Sequence, residues 1–274
     1  MLKTIIPQSD LLRKYIEVFY VFTPGKPKQF SYIAFPHINT AISFFSGVNL
    51  TRKDPQVIIQ ENLEKANHNS VEILGKYTRP VLVHYEGDFE EIAIVFKPLG
   101  VNHFIRGNLL DIAPEYSQPL LLKNWIQCCN KLFEHKENQT GRLEKFLLEN
   151  FNEANDLKVP EIALKYLTDP DAEYSIEEVA ASAGMTLKTF QRFFMKQLTC
   201  TPSEYKRIAR FRNALNSKLL SDDRRSLTSI TYENNYYDQS YLIREFRKLT
   251  NLNPKKFFSE ISVLDENKII WELK

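Results

Sequence analysis

Hydrophobic and polar residues follow two different periods along the chain, and the change of period divides it into two halves. Between residues 15 and 105, apolar residues form short β-branched or aromatic runs, such as YIEVFYVF and EIAIVFKPLG, separated by Pro, Gly, Asn and Asp. Runs at this spacing predict a β-barrel or a β-sandwich rather than alternating strands and helices. From Leu121 onward, apolar residues recur three and four positions apart, which predicts helices to about Ser262.

The two periods predict an α+β chain: a mostly-β, cupin-like barrel or sandwich, then helices, then an all-α domain of two helix-turn-helix subdomains. We expect the β-rich domain at residues 1–118, as a sensor or dimerisation unit. A helical connector and a polar linker are expected at 119–156. The all-α domain would span 157–264, and the tail at 265–274 is either a last strand or a disordered end.

The all-α part contains two copies of one motif, matched at an offset of 51 before a turn and 52 after it. Each copy has a short helix (SIEEVAASA, then SLTSITYEN) that ends at a residue suited to positive φ, Gly184 or Asn235. A second helix then begins at a capping residue, Thr186 or Asp238. Two helices joined by so short a turn are typical of a helix-turn-helix.

The second helix of each copy has an apolar stripe and an opposite, more polar face. The stripes, which we expect in the core, are Leu187, Phe190, Phe194 and Leu198, and then Leu242, Phe246 and Leu249. The opposite faces carry Lys188, Gln191, Arg192 and Met195 in the first copy, and Gln239, Ser240, Ile243, Arg244 and Arg247 in the second. In the major groove of B-DNA, Arg can bind guanine, Gln can bind adenine and Ile can meet a thymine methyl group.

Arg192 and Arg244 occupy equivalent positions in the two copies. A single exposed Arg on a helix is usually only solvated, but a matched pair favours contact with bases. The stretch between the copies, PSEYKRIARFRNALNSKLL, lacks internal Gly and Pro and predicts one long helix. Such a rigid connection would place the two helices in successive major grooves, about 34 Å apart. Phosphate contacts, which position a protein without selecting a sequence, are expected from Thr186, Lys196, Lys206, Arg247 and Lys248.

Charge is distributed unevenly along the chain. The whole sequence has a net charge of +2, but residues 188–256 hold fifteen Lys and Arg against six Asp and Glu, a net +9. The remainder therefore carries −7. This asymmetry suggests that the helical part meets a polyanion, although a lysine-rich solvated face has the same composition.

Composition narrows the class of protein further. Of 274 residues, 43% are hydrophobic and 26% are charged, as in ordinary globular proteins. No apolar run approaches the roughly 18 residues of a membrane-spanning helix, and the N-terminus lacks the apolar core of a signal peptide. Three cysteines, two of them adjacent, argue against a disulfide framework. We therefore expect a cytoplasmic protein with no membrane partner.

The region from roughly Val159 to Ser262 resembles the DNA-binding domain of AraC/XylS-type transcriptional regulators. The family pattern in the second copy is Ile-Ala, Gly-Phe, Asp-Gln-Ser, Arg-x-Phe-Lys-Lys, and a closing Gly, Pro and Tyr. Here it stands as Ile230-Thr231, Asn235-Tyr236, Asp238-Gln239-Ser240, Arg244-Glu245-Phe246-Arg247-Lys248, Asn251, Pro254 and Phe257. This chain departs from the pattern by Asn in place of both glycines, by Tyr241 where His is common, and by Phe257 in place of Tyr.

The resemblance implies a sequence-specific regulator that binds double-stranded DNA and is not an enzyme. The base-reading positions of the family fall on Lys188, Gln191 and Arg192 in the first copy, and on Gln239, Ser240, Tyr241, Ile243 and Arg244 in the second. RNA polymerase and a second copy of the chain are further candidate partners.

The N-terminal half resembles, less specifically, the cupin-like sensor domains that precede this module in some family members. In the family such domains bind a small effector, mediate dimerisation, or do both. No cofactor is expected beyond such an effector, whose identity the sequence leaves open. Four apolar residues of the connector could either form a dimer seam or pack onto the β-rich domain: Leu143, Phe146, Leu147 and Phe151.

Two other functions compete with DNA binding. The chain could be a small-molecule-binding β-domain protein whose helices mediate protein contacts only. It could also be a cupin-like enzyme fused to a vestigial helix-turn-helix, with His37, His84 and His103 converging on a metal. Neither a G-x-H-x-H cluster nor a G-x-S-x-G, H-E-x-x-H or Gly-rich phosphate-binding motif occurs, so we expect no catalytic and no metal site.

Overall fold

The structure is a computed structural model that describes residues 2–23, 29–64, 68–153, 157–169, 174–220, 226–263 and 271–273. Within these ranges, ten strands form the β-rich part: β1 Leu2–Ile5, β2 Ile16–Phe22, β3 Gln29–Ala34, β4 Thr40–Ser46, β5 Val48–Lys53, β6 Gln56–Glu61, β7 Asn69–Leu74, β8 Val81–Glu86, β9 Glu90–Phe96 and β10 Gln118–Pro119. The helices of this half are α1 Asp10–Tyr15, the 3-10 helix Gly100–His103, α2 Leu109–Ile112, α3 Lys123–Glu134 and α4 Gln139–Asn150.

The strands make two sheets. The six-stranded sheet has the order β1-β2-β9-β4-β7-β10, and the four-stranded sheet has the order β3-β8-β6-β5. Neighbouring strands are antiparallel, except that β6 pairs with β8 in parallel. The prediction of an α+β chain with a mostly-β N-terminal domain is therefore confirmed.

Helix α3 lies against β7 and β4 of the six-stranded sheet, and α4 packs against α3 and α1. The Trp125 ring stacks on Phe44 of β4, with the ring centres 5.9 Å apart. Leu143 and Leu147 are completely buried in the same core, and Phe146 and Phe151 pack against it. Leu143 and Leu147 thus pack into the core of the N-terminal half and are not available for a dimer seam, while Phe146 and Phe151 remain half-buried.

An aromatic cluster fills the space beside the four-stranded sheet. The Tyr85 ring lies 4.7 Å from Phe30 and 5.1 Å from Phe89, and both pairs are stacked. The Tyr85 hydroxyl donates to Glu91 Oε2 at 2.9 Å. Burial raises the pKa of the Glu91 carboxyl above its usual range. Packed aromatic rings therefore form much of the interior of this half.

The three histidines considered for a metal site have separate partners. His84 lies 2.7 Å from the Ser31 hydroxyl, and His37 accepts from the Asn39 amide at 3.0 Å. His103 Nε2 lies 2.8 Å from Glu161 Oε1. Among the residues that the structure describes, no group of three His, Cys, Asp or Glu side chains is placed to hold a metal ion.

In the part of the C-terminal half that the structure describes, there are seven helices and one pair of short strands. The helices are α5 Lys158–Thr168, α6 Ile176–Ser182, α7 Leu187–Leu198, α8 Pro202–Leu220, α9 Leu227–Glu233, α10 Gln239–Thr250 and α11 Pro254–Glu260. Strands β11 Ile261–Val263 and β12 Trp271–Leu273 pair antiparallel, and β12 lies beside β3. The predicted tail thus ends in a strand, while its residues 265–270 and 274, and residues 154–156 of the predicted linker, lie outside the described residues.

These helices form two small bundles on one shared helix. The first bundle consists of α5, α6, α7 and the start of α8, and its core includes Phe190, Phe194 and Tyr205. The second consists of the rest of α8 with α9, α10 and α11, and its core includes Phe211 and Phe246. Because α8 is one continuous helix of 19 residues, it connects the two bundles rigidly.

Candidate nucleic-acid interface

The first helix-turn-helix has the local geometry that its sequence predicts. Gly184 has φ 67°, in the left-handed region where glycine is tolerated at no steric cost. The Met185 amide donates to the Ala180 carbonyl at 2.9 Å, which closes the end of α6. Thr186 caps the N-terminus of α7, and its hydroxyl accepts from the Thr189 amide at 3.2 Å.

The second helix-turn-helix repeats this geometry with one residue more in its turn. Asn235 adopts φ 52°, the conformation of Gly184, and Asp238 Oδ1 accepts from the Tyr241 amide at 2.6 Å as the cap of α10. Tyr236 is buried, whereas Tyr237 is 90% exposed directly before the cap. Tyr237 is absent from the predicted site, although the change of offset from 51 to 52 marks the extra residue.

Except for the half-buried Leu187, the apolar stripes of α7 and α10 are inside the molecule, and their opposite faces are outside. Phe190 and Phe194 are completely buried, as are Leu242 and Phe246. The exposed residues of the two outer faces are Lys188, Gln191, Arg192, Met195 and Lys196 on α7, and Gln239, Ser240, Arg244, Arg247 and Lys248 on α10. Tyr241 and Ile243 are half-buried at the edge of the second face. Both faces are therefore open to a partner.

Aromatic rings lie beside the outer face of α10. The Arg244 guanidinium carbon lies 5.6 Å from the centre of the Tyr241 ring, within the range of a cation–π contact. The Tyr241 ring in turn lies 6.0 Å from the buried Tyr236 ring. The Arg244 side chain thus lies over an aromatic surface that is itself packed on a buried ring.

The predicted phosphate-contacting residues fall into two groups. Lys196 and Arg247 are exposed beside the recognition faces, and Thr186 lies at the N-terminus of α7, where unpaired backbone N–H groups favour an anion. Lys248 is already paired with Glu245 Oε1 at 2.9 Å. Lys206 lies on α8, where its ammonium group donates to the Tyr174 carbonyl. The last two must share or exchange these partners in order to bind a phosphate.

The two recognition helices share α8 as their support. Phe194 of α7 packs edge-on against Tyr205 of α8, with ring centres 5.6 Å apart. Phe246 of α10 packs edge-on against Phe211 of α8 at 5.0 Å. Each of the two helices is therefore held against α8 by an aromatic contact, and the two contact points lie six residues apart on that helix.

Comparison with protein families agrees with this geometry. Residues 179–260 match the family model of a helix-turn-helix domain, which covers both motifs and α8. The C-terminal domain is an AraC-type helix-turn-helix domain. The predicted resemblance is thereby confirmed for this half of the chain. Residues 3–117 match a domain of unknown function (DUF6597).

Three solved structures are similar to parts or most of this chain at low sequence identity. The apo form of a ToxT variant from Vibrio cholerae is 11% identical, with 88% of this chain and 97% of that chain covered and a TM-score of 0.45. ToxT with a bound unsaturated fatty acid is 12% identical, with 84% and 93% covered and a TM-score of 0.41. The DNA-binding domain of AdpA in complex with target DNA is 22% identical, with 38% and 89% covered and a TM-score of 0.32.

These likenesses are too loose to transfer a residue or a ligand to the AraC-type domain of this chain. No curated protein matches the sequence significantly. Across the described ranges, no helix is both long and apolar enough to cross a membrane. The family match and the two outward-facing recognition helices together identify a DNA-binding domain of a transcription regulator.

Proposed function

We propose that the protein is a sequence-specific transcriptional regulator that inserts α7 and α10 into successive major grooves of double-stranded DNA. The observation that carries this proposal is the equivalent placement of Arg192 and Arg244. Each lies exposed on the outer face of a recognition helix whose inner face packs on α8. Two Arg-bearing helices on one rigid support suit two neighbouring groove segments on one side of a duplex.

Base contacts are assigned to the exposed faces. On α7 these are Lys188, Gln191 and Arg192, and on α10 they are Gln239, Ser240, Tyr241, Ile243 and Arg244. Arg can form two hydrogen bonds with guanine O6 and N7, while Ile243 can meet a thymine methyl group. Thr186, Lys196, Lys206, Arg247 and Lys248 are assigned to phosphates, which supply affinity and register without sequence information.

The N-terminal domain is assigned a regulatory role. A small-molecule effector or self-association there would change how often both recognition helices are presented to DNA. Coupling of this kind is typically worth about 1–3 kcal/mol. We place the regulatory half at residues 1–118 with its helical connector at 119–156, and the DNA-binding half at 157–264. The protein would act in the cytoplasm by binding rather than by catalysis, with RNA polymerase and a second copy of the chain as candidate partners.

The proposal is tested by selecting bound duplexes from random DNA with the full-length protein. Two enriched sequence blocks, centred about 10–10.5 base pairs apart, are expected. Affinity for the selected site should fall steeply as salt rises, because phosphate contacts release counterions. The Arg192→Ala, Arg244→Ala double variant is the matched control and should enrich neither block. No enrichment by the unaltered protein, with salt-independent binding, would instead support a helical domain that contacts only proteins.

A further inference from the structure

Residues 35–40, which are the connection after β3 and the first residue of β4, reach from the β-rich domain into the second helical bundle. The Phe35 side chain is 1% exposed and belongs to the same buried core as Phe211 and Phe246. Its ring packs edge-on against Phe257 of α11, with ring centres 5.0 Å apart. A residue of the N-terminal domain therefore completes the core that supports α10.

The same connection also touches the first bundle. Ile38 packs against the core of the second bundle and against the core of the first, which contains Phe190 and Phe194 of α7. Residues 35–40 therefore form a wedge between the two bundles. We call this segment the 35–40 wedge.

Side chains from both domains hold the backbone of the wedge. Arg212 of α8 donates from Nε to the Pro36 carbonyl at 2.7 Å and from Nη2 to the Phe35 carbonyl at 2.5 Å. The Tyr77 hydroxyl donates to the Phe35 carbonyl at 2.9 Å. Lys76 Nζ donates to the Asn39 carbonyl at 2.8 Å and also to the Ile38 carbonyl. Four carbonyls of the wedge are thus fixed by three side chains.

Burial of the Arg212 guanidinium is favourable only when the wedge supplies its hydrogen-bond acceptors. Arg212 is only 8% exposed, and a buried guanidinium is strongly unfavourable when its hydrogen-bond partners are missing. The wedge carbonyls are acceptors for two of its nitrogen atoms. The wedge thus supplies the acceptors that Arg212 needs, and it contacts the middle of α8 at the point between the two bundles.

We infer that the 35–40 wedge is a positioning element that fixes the arrangement of α7 relative to α10. The inference rests on the proposed function, because it concerns simultaneous binding by both recognition helices. Helix α8 fixes the distance between the bundles, and the wedge fixes how each bundle sits against it. The recognition faces stay exposed in this arrangement, so the wedge preorganises them, and loosening it costs two-helix binding in particular.

The test compares two duplexes from the selection, one with both sequence blocks and one with a single block. The full-length variants Ile38→Ala and Arg212→Met loosen the wedge without adding a charge. We expect each to lower the preference for the two-block duplex about tenfold, with single-block affinity within about twofold of the unaltered protein. Thermal unfolding of each variant establishes that it is folded.

Asn102→Ala is the matched control. The Asn102 amide donates to Gln197 Oε1 at the end of α7 at 2.7 Å, so its loss breaks a contact between the two domains without touching the wedge. This variant should keep the two-block preference.

Three results would overturn the inference: an unchanged preference in both wedge variants, an equal fall in both affinities, or an equal loss of preference in Asn102→Ala. If the unaltered protein itself shows no two-block preference, the proposed two-helix binding fails instead, and with it the role of the wedge.

Discussion

The guanidinium carbon of Arg244 lies 5.6 Å from the centre of the Tyr241 ring, so that two predicted base-contacting residues also contact each other. Tyr241 is half-buried and packs against Tyr236, whereas Arg244 is exposed. The aromatic ring therefore anchors the arginine at the surface of α10. An arginine held in this way loses less rotamer entropy when it binds a guanine.

This contact predicts different effects for two substitutions of Tyr241. Tyr241→Phe keeps the ring and should leave the affinity for the selected duplex within about twofold. Tyr241→Leu removes it and should cost about 0.5–1 kcal/mol, the usual size of an exposed cation–π contact. Fluorescence anisotropy with the selected duplex measures both. Equal affinities for the Phe and Leu variants would show that the ring does not support Arg244.

Arg192→Ala and Arg244→Ala should each cost about 1–3 kcal/mol of binding free energy on the selected duplex. Each change should relax base preference only in the sequence block that its own helix contacts. Lys145→Ala is the matched control, because it removes the same charge from an exposed residue of α4. Unchanged affinity in both arginine variants would remove both from the interface.

Arg247→Ala and Lys206→Ala should weaken binding to all duplexes alike. Both residues are assigned to phosphates, so the slope of log affinity against log salt should become shallower by about one unit in each variant. Lys206 also donates to the Tyr174 carbonyl, so its variant needs a parallel measurement of thermal unfolding. A sequence-dependent loss in either variant would reassign that residue to base contact.

The buried Lys76 predicts a pH dependence of stability. Burial lowers the pKa of its ammonium group to about 8, from an ordinary value of 10.5. Below pH 8 the folded and unfolded chains both hold this proton, so Lys76 does not make the free energy of unfolding depend on pH. Between about pH 8 and 10.5 only the unfolded chain holds it, so the free energy of unfolding should rise with pH, by roughly 3 kcal/mol in all.

The measurement compares denaturant unfolding of the unaltered protein and Lys76→Met across this pH range. The difference between the two free energies isolates Lys76 from the nearby His37, Arg212 and Cys200, which both proteins share. As the pH rises, the free energy of unfolding of the unaltered protein should increase relative to that of Lys76→Met. Parallel profiles would mean that the Lys76 ammonium group is solvated in the folded chain.

Local geometry was predictable from sequence because local residues determine it. Gly184 and Asn235 adopt positive φ, and Thr186 and Asp238 cap the following helices, as predicted. A turn or a cap depends on the chemistry of a few adjacent residues. The apolar stripes of α7 and α10 were predictable for the same reason, since helical periodicity identifies the face that will be buried.

Contacts between distant segments could not be predicted in this way. Phe35 packs into a core whose other members begin at Ile208, and nothing in the run SYIAFPHIN distinguishes that core from its own β-rich domain. Periodicity showed that α4 has an apolar face but not which surface it covers. Arg212 looks like an ordinary residue of a basic helix until its carbonyl partners are seen.

The spacing between the two sequence blocks tests most directly whether both recognition helices bind one duplex together, because one continuous α8 supports both helices. Affinities of the full-length protein would be measured for the selected duplex and for duplexes with about 5 or about 10 base pairs inserted between the blocks, roughly half and one helical turn. Rigid two-helix binding predicts that both insertions reduce affinity to that of a single block. Unchanged affinity after the half-turn insertion would contradict it.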